Sequence, residues 1–476
     1  MDKYKTLASN TMLISIGTLG SKLIVFFMVR FYTEFMRPSD YGTADLIIQT
    51  ANLLLPLISF GITDGVFRFV MDHKRARKNI FTVGVWVITA GSLMFLAIVP
   101  LLRLSGTIGD YWVLIVVFTM ASCYHSLCAQ FVRARGNTAL YAGQGLLNTA
   151  LVVGLNIWFL AFLHLGITGY VLSVAAADIA CTLFLIVKEK LWRELTSRPR
   201  RATFRQLLRY SIPLMPTSIF WWITSVSDRY MVTGFIGSGA NGIYTVAYKI
   251  PTILIILAGV FIEAWQFSAV DEADKDDSEH LRFFSNVWDS FQSLMFITCG
   301  VMIALSQLEI MILSEASYFQ AWKYVPLLSM AMIFSSFVTF MGSVYMVKMK
   351  SGLSFWTSMV GALMNIGLNL LLIPSPLGVQ GAALATFASY FVVFLLRTVS
   401  TRKLMPFDLH VRRLVASTLI ISAETAAVIT QIPYWEIASL TAVALLAAVN
   451  LKPVLISVKK LVHIRKESSK RRRIKS

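Results

Sequence analysis

From Asn10 to Leu455 the chain is a succession of long apolar runs, each interrupted by a short polar or basic stretch. A helix needs about 20 mostly apolar residues to cross the hydrocarbon of a bilayer. Lipid offers the backbone no hydrogen-bond partners, so only helices or a closed barrel can span it. Barrel strands alternate apolar and polar residues. These runs are continuous, so they predict helices. Composition agrees: 56% of residues are hydrophobic and 14% charged, against about 25% charged in soluble domains. The first run, from Asn10 past Phe27, carries Lys22 and Arg30 and lacks a small-residue cleavage site. It therefore reads as a retained span rather than a leader.

The runs predict about fourteen spans, at 9–33, 41–70, 80–102, 111–132, 141–163, 167–187, 210–236, 243–268, 283–313, 322–347, 353–373, 380–399, 413–431 and 435–455. Lys and Arg outside them alternate in density. Lys3 and Lys5, the loop 73–78, Arg133 and Arg135, the stretch Lys188–Arg209, Lys275 and Arg282, Lys348 and Lys350, the region Arg397–Arg413 and the tail from Lys452 all fall on one side. The other side has only Arg37, Arg103 and Lys323. Basic loops stay in the cytoplasm, which predicts N-in and C-in and an even number of spans. The net charge of +18 is thus a topology signal, and nucleic acid is not expected as a partner. The tail Arg465–Lys475 reads as a lipid-surface element. The outer loops, such as Gly237–Gly242 and Pro374–Gln380, are too short to form a domain, and Asp271–Glu279 reads as a solvated cytoplasmic turn.

An internal repeat organises the spans. Phe35 through Pro38, Tyr41 and Gly42 correspond to Phe235 through Ser238, Asn241 and Gly242, with a constant offset and no gap. Each segment links the first two spans of a half, with Phe closing one helix and Gly opening the next. Symmetry-related halves are a signature of transporters. The expected division is a six-helix bundle at 1–190, a basic cytoplasmic linker at 191–209, a second six-helix bundle at 210–400, an added helix pair at 401–458 and a basic tail at 459–476.

Ionisable residues inside spans are costly and by default face a cavity or a partner. The first half offers Lys22, Arg30, Asp45, Asp64, Arg68 and Asp178. The second offers Asp228, Arg229, Lys249, Glu263 and Asp289, with Glu424 in the added pair. Lys22 either pairs with an intramembrane acid or lines a central cavity. Asp64 and Arg68, four apart, are placed to pair with each other. Asp228 and Arg229 are adjacent and must point in different directions. Glu263 and Asp289 read as solvated groups near the cytoplasmic boundary. Pro56, Pro213, Pro216 and Pro251 predict kinks. Cys123, Cys128, Cys181 and Cys299 show no metal or disulfide spacing. Of the six histidines only His125 lies well inside a span, with no acidic neighbour in sequence. No catalytic group, metal site or cofactor is expected, and an enzyme reading is disfavoured.

Four stretches resemble the polysaccharide transporters of the multidrug/oligosaccharidyl-lipid/polysaccharide exporter superfamily. They are Asn10-Thr11 through Lys22 with Arg30-Phe31-Tyr32; Pro38-Ser39-Asp40-Tyr41-Gly42; Ser211 through Pro216 with Ser227-Asp228-Arg229-Tyr230; and Gly242 through Ile250. The resemblance implies an all-α membrane protein of two six-helix bundles forming a V around a central cavity, with helices 13 and 14 added. It implies a flippase that moves undecaprenyl-diphosphate-linked oligosaccharide from the inner to the outer leaflet of a bacterial cytoplasmic membrane, for O-antigen or similar surface polysaccharide. Lys22, Arg30, Arg229 and Lys249 are the candidate cavity cations for the diphosphate. Asp45, Asp64, Asp178 and Asp228 are the candidates for Na⁺ or H⁺ coupling. Expected partners are the lipid-linked glycan, membrane lipids, a polysaccharide polymerase and glycosyltransferases. The alternatives are a flippase for the lipid-linked peptidoglycan precursor and a multidrug or cation antiporter of the same superfamily.

Overall fold

The computed structural model describes residues 20–72, 77–102, 109–271, 277–347 and 350–473. Among them every regular element is helical. The loop 73–76, Arg103, and the side chains of Glu263, of Asp271–Glu279 and of the tail beyond residue 455 lie outside the described residues. So do residues 9–19 of the first expected span.

Two compact units form. The first comprises Met1–Val246 with the short returns Leu313–Tyr318 and Asn369–Pro374. It contains α1 (20–35), α2 (Pro38–Ser59), α3 (Ile62–Asp72), α4 (Arg77–Leu102), α5 (Trp112–Ala134), α6 (Thr138–Asn156), α7 (Gly166–Glu189), α8 (Arg201–Ser211), α9 (Met215–Phe235) and most of α10 (Ser238–Lys249). Its core is aliphatic and aromatic, with Ile62, Val66, Leu127, Phe131 and Val171 fully buried. Between α2 and α3 the chain bends by 52°. The cause is local. Pro56 removes one backbone donor from α2, and Phe60 and Gly61 then adopt φ of 49° and 61°. The stretch 191–209 is folded: after one 3₁₀ turn (Leu191–Glu194), α8 lays Leu207 and Ser211 against Gly65 of α3.

The repeat shows itself in a reciprocal contact inside this unit. A Cβ on Gly42 would lie 2.1 Å from the Ser238 carbonyl oxygen, and one on Gly242 would lie 1.9 Å from the Pro38 carbonyl oxygen. The two contacts exchange under the offset that relates the repeat segments. Asn241 Nδ2 also donates to the Gly42 carbonyl at 2.9 Å. Small residues allow such close backbone approach between membrane helices.

The second unit comprises Ala247–Ile312, Phe319–Leu368 and Ser375–Ser476. It holds α11 (Thr252–Asp271), α12 (Asp277–Ala304), α13 (Ser306–Leu313, whose last residue joins the first unit), α14 (Val325–Val347), α15 (Ser351–Leu372), α16 (Val379–Leu404), α17 (Val411–Thr430) and α18 (Trp435–Arg473). Trp288 anchors it. Its ring meets Phe337, Phe340 and Phe394, and Nε1 donates to the Leu409 carbonyl at 3.0 Å. The helix pair α17 and α18 is joined by Ser439 donating to Glu424 (2.7 Å) and Asn450 donating to Ser417 (2.9 Å).

Among the described residues eleven segments are long and apolar enough to cross a membrane, and the bent pair α2–α3 makes a twelfth. The chain is a multi-pass membrane protein. Two of the fourteen expected spans are outside this set. The first begins in residues outside those described. The other is α9, which carries Thr217, Ser218, Thr224, Ser225, Ser227, Asp228 and Arg229 within its 21 residues.

Candidate functional site

The repeat contact fixes where the charges of the first unit meet. Asp45 lies one turn beyond Gly42 on α2, and Arg229 lies on α9; both are buried. Arg229 Nη1 is 2.6 Å from Asp45 Oδ1 and 2.8 Å from Oδ2. Further along the same helix pair, the Tyr230 and Thr50 hydroxyls share a hydrogen bond of 2.7 Å. Trp222 Nε1 donates to the Gln49 carbonyl at 3.1 Å. Asp228 faces away from α2. Its Oδ2 accepts from the Tyr244 hydroxyl (2.7 Å) and its Oδ1 from the Arg229 backbone N–H (2.9 Å). Adjacent helical residues thus send one carboxylate to α10 and one guanidinium to α2. Around Asp45 the buried rings of Tyr32 and Tyr41 and the partly buried ring of Tyr170 pack edge to face or stacked, with centroids 4.8–6.4 Å apart.

A second polar cluster sits among α5, α6 and α7. Asp178 accepts from the Ser122 hydroxyl and from Asn148 Nδ2 at 2.9 Å. His125 Nδ1 is 3.0 Å from Asp178 Oδ1, and His125 Nε2 is 2.7 Å from Gln144 Oε1. Both ring nitrogens face acceptor oxygens, an arrangement that an imidazolium, with two N–H groups, satisfies in full. His125 therefore has an acidic partner after all, one that local sequence could not reveal.

Asp64 follows a different course from the one expected. Arg68 pairs with Asp72 at 3.2 Å, on the exposed side of α3, and not with Asp64. Both acids are four residues from Arg68, so spacing alone left the choice open. Asp64 is exposed, and its carboxylate makes no hydrogen bond or ion pair with another described residue. It opens onto a cavity of about 310 Å³ at the α2–α3 bend, walled also by Asn52, Ser126 and Trp222.

Arg30 donates to Glu34 (2.8 Å) and to the Ser314 carbonyl. Beside it, the Ser317 hydroxyl and backbone N–H hold the Glu315 carboxyl below its usual range. Lys22 is exposed on α1. Lys249 is half-buried in the last turn of α10 and belongs to the second unit. In that unit Asp289 is not simply solvated: it pairs with Arg413, with His410 at 3.9 Å. Arg397, counted from sequence among the loop cations, is buried. It donates to Thr357 (3.1 Å), Ser358 (3.2 Å), Ser354 (3.3 Å) and the Val338 carbonyl (2.8 Å).

Comparison with known proteins places this geometry in context. The pattern of the family described as polysaccharide biosynthesis protein matches residues 7–266. An uncharacterized membrane protein of Methanocaldococcus jannaschii is 23% identical over 421 residues, covering 82% of this chain and 97% of the relative. Among solved structures, the lipid II flippase MurJ in an inward closed conformation is similar with a TM-score of 0.69 at 15% identity, over 95% of this chain and all of the flippase. An inward-facing multidrug resistance transporter of the MATE family, from the MOP superfamily, is similar with a TM-score of 0.65 at 12% identity. That match covers 81% of this chain and 95% of the transporter. These structural likenesses establish a shared fold.

Proposed function

The chain belongs to the polysaccharide biosynthesis protein family, and from that premise we propose that it is a flippase for polyprenyl-diphosphate-linked oligosaccharide. The observation that carries the reading is the conjunction of this family with a polytopic fold shared with transporters. In a bacterial cell the carrier is undecaprenyl diphosphate, the membrane is the cytoplasmic one, and both termini lie inside. The cargo passes from the inner to the outer leaflet, between glycosyltransferases that build it and a polymerase that consumes it.

Lys22 is the cation best suited to receive the diphosphate, because it is exposed and its ammonium makes no hydrogen bond or ion pair with a described residue. Arg229 is held by Asp45, and Arg30 by Glu34 and Ser314. An anionic headgroup would have to compete with those partners. Coupling to H⁺ or Na⁺ drives the cycle. Of the four candidate carboxylates, Asp178 has the surroundings for a proton, since it shares a cluster with an imidazole. The full-length match to the lipid II flippase favours one second reading, transport of the lipid-linked peptidoglycan precursor.

The test is the lipid-linked sugar pool of cells lacking this protein, separated by leaflet and weighed by mass. The expected result is an oligosaccharide repeat unit accumulating on the cytoplasmic leaflet, with loss of surface polysaccharide. Accumulation of the peptidoglycan precursor would select the second reading. Unchanged pools with new sensitivity to cationic drugs would replace both with drug export. Cells carrying only Lys22→Ala should show the same accumulation with the protein inserted at its normal level.

A further inference from the structure

The cavity at the α2–α3 bend has a lining that the diphosphate does not explain. We infer that it is a carbohydrate subsite, which receives one neutral or amine-bearing sugar ring of the cargo and turns away an acidic one. This rests on the flippase reading and narrows it.

The size comes first. Ligand cavities run from about 300 to 1,000 Å³, so 310 Å³ suits a single ring and not a whole repeat unit. The lining chemistry comes second. Asn52, Ser59, Thr63, Asp64, Ser126 and Ser218 supply an amide, four hydroxyls and one carboxylate. Hydroxyls and amides both donate and accept, which matches a ring of sugar hydroxyls. The remaining surface includes Pro56, Leu214 and Met215, against which the C–H face of a ring can lie.

One wall is an aromatic held in advance. The Trp222 ring cannot swing freely, because Nε1 is bonded to the Gln49 carbonyl and the ring packs on Tyr230 with centroids 5.6 Å apart. Tyr230 is itself tied to Thr50. A preorganised ring loses little freedom when a ligand arrives. The opening depends on the backbone, since Phe60 and Gly61 break the helix at positive φ just where Ser59 and Thr63 face the cavity.

Charge sets the selectivity. Among the described residues Asp64 is the one charged side chain in the lining, with no cation beside it there. Arg68, one turn away, is engaged by Asp72. A carboxylate kept without a partner inside a membrane helix is costly and gains from a ligand that brings donors. Sugar hydroxyls and a protonated amino group do so. A uronate or a phosphate brings like charge and is disfavoured.

The experiment uses the full-length protein in lipid nanodiscs. Ser218 is exposed in the cavity wall; the four native cysteines are buried, but Cys123 also lines this cavity. Ser218→Cys in a Cys123→Ala background therefore places one thiol in the cavity, whose labelling by a methanethiosulfonate reagent is timed with glucose, glucosamine or glucuronate present. The expected result is severalfold slower labelling with glucosamine, a smaller slowing with glucose and none with glucuronate. Adding Asp64→Asn should erase the advantage of glucosamine over glucose. Equal protection by glucuronate, or no protection by any sugar, overturns the subsite. So does slowing by sodium against choline with no sugar effect, which would make Asp64 a cation site only. Lack of protection alongside accumulated lipid-linked sugar in deletion cells removes the subsite and leaves the flippase. Protection in nanodiscs, with lipid pools unchanged in deletion cells, keeps the sugar site and removes the flippase.

Discussion

Arg229 and Arg397 are both buried on long helices, one in each compact unit, yet only Arg229 meets a carboxylate. Its guanidinium is neutralised by Asp45 across α2 and α9. Arg397 instead sits in a cage of three hydroxyls and one carbonyl, with the Tyr345 ring 5.6 Å away, and among the described residues has no acidic partner. The difference separates two uses of buried charge. Hydroxyls and carbonyls at a membrane interior do not titrate and are not displaced by an anion, so Arg397 is a fixed staple between α14, α15 and α16. A carboxylate can gain a proton or yield its partner to an incoming phosphate. Only the Arg229 arrangement has a second state within reach.

The sharpest test of this contrast is Asp45→Asn. It takes the carboxylate away from a buried guanidinium and should cost about 3–5 kcal/mol, read as a lower unfolding temperature in detergent. Asp45→Asn combined with Arg229→Gln should recover most of that loss. If the double variant is no more stable than the single one, the two residues are not coupled and the comparison fails. Next is Arg397→Met, which removes four interhelical contacts. Polar contacts between membrane helices average about 0.6 kcal/mol, with a maximum near 1.7, so the expected loss is roughly 2–4 kcal/mol. Arg397→Lys should restore only part of it, because one ammonium cannot reproduce the planar fork. Full rescue by Lys would show that charge alone matters there.

A smaller effect follows from the wall of the same cage. A Cβ at Gly342 would lie 2.8 Å from Arg397 Nη1. Gly342→Ala should therefore destabilise by about 1–3 kcal/mol, and by much less when built on Arg397→Met. Additivity of the two would place the strain elsewhere. At the bottom of the range, Arg68→Ala breaks an exposed pair four residues apart and should change stability by no more than about 0.5 kcal/mol. A larger loss would mean that Arg68 also serves Asp64.

The helices were legible because bilayer thickness imposes one strong, local requirement on sequence. The exceptions have local causes too. In α9 the polar residues of the candidate site lower its hydropathy, so the span that carries Asp228 and Arg229 is among the weakest by composition. Side-chain partners were much less legible. His125 meets Asp178 across two helices, a pairing with no local trace. Arg68 had acids at equal spacing before and after it. Arg397 was hidden among five cations between positions 397 and 413, since charge density says which side a loop occupies but not which members of the cluster turn inward. The paired glycines Gly42 and Gly242 were the strongest long-range signal, because both halves must solve the same steric problem at the same place.

That crossing has a further consequence. Where a methyl group would overlap a carbonyl from either side, no water molecule can lodge. At the meeting of Gly42 and Gly242 the two backbones touch without any side chain between them, and any side chain added there would wedge the helices apart.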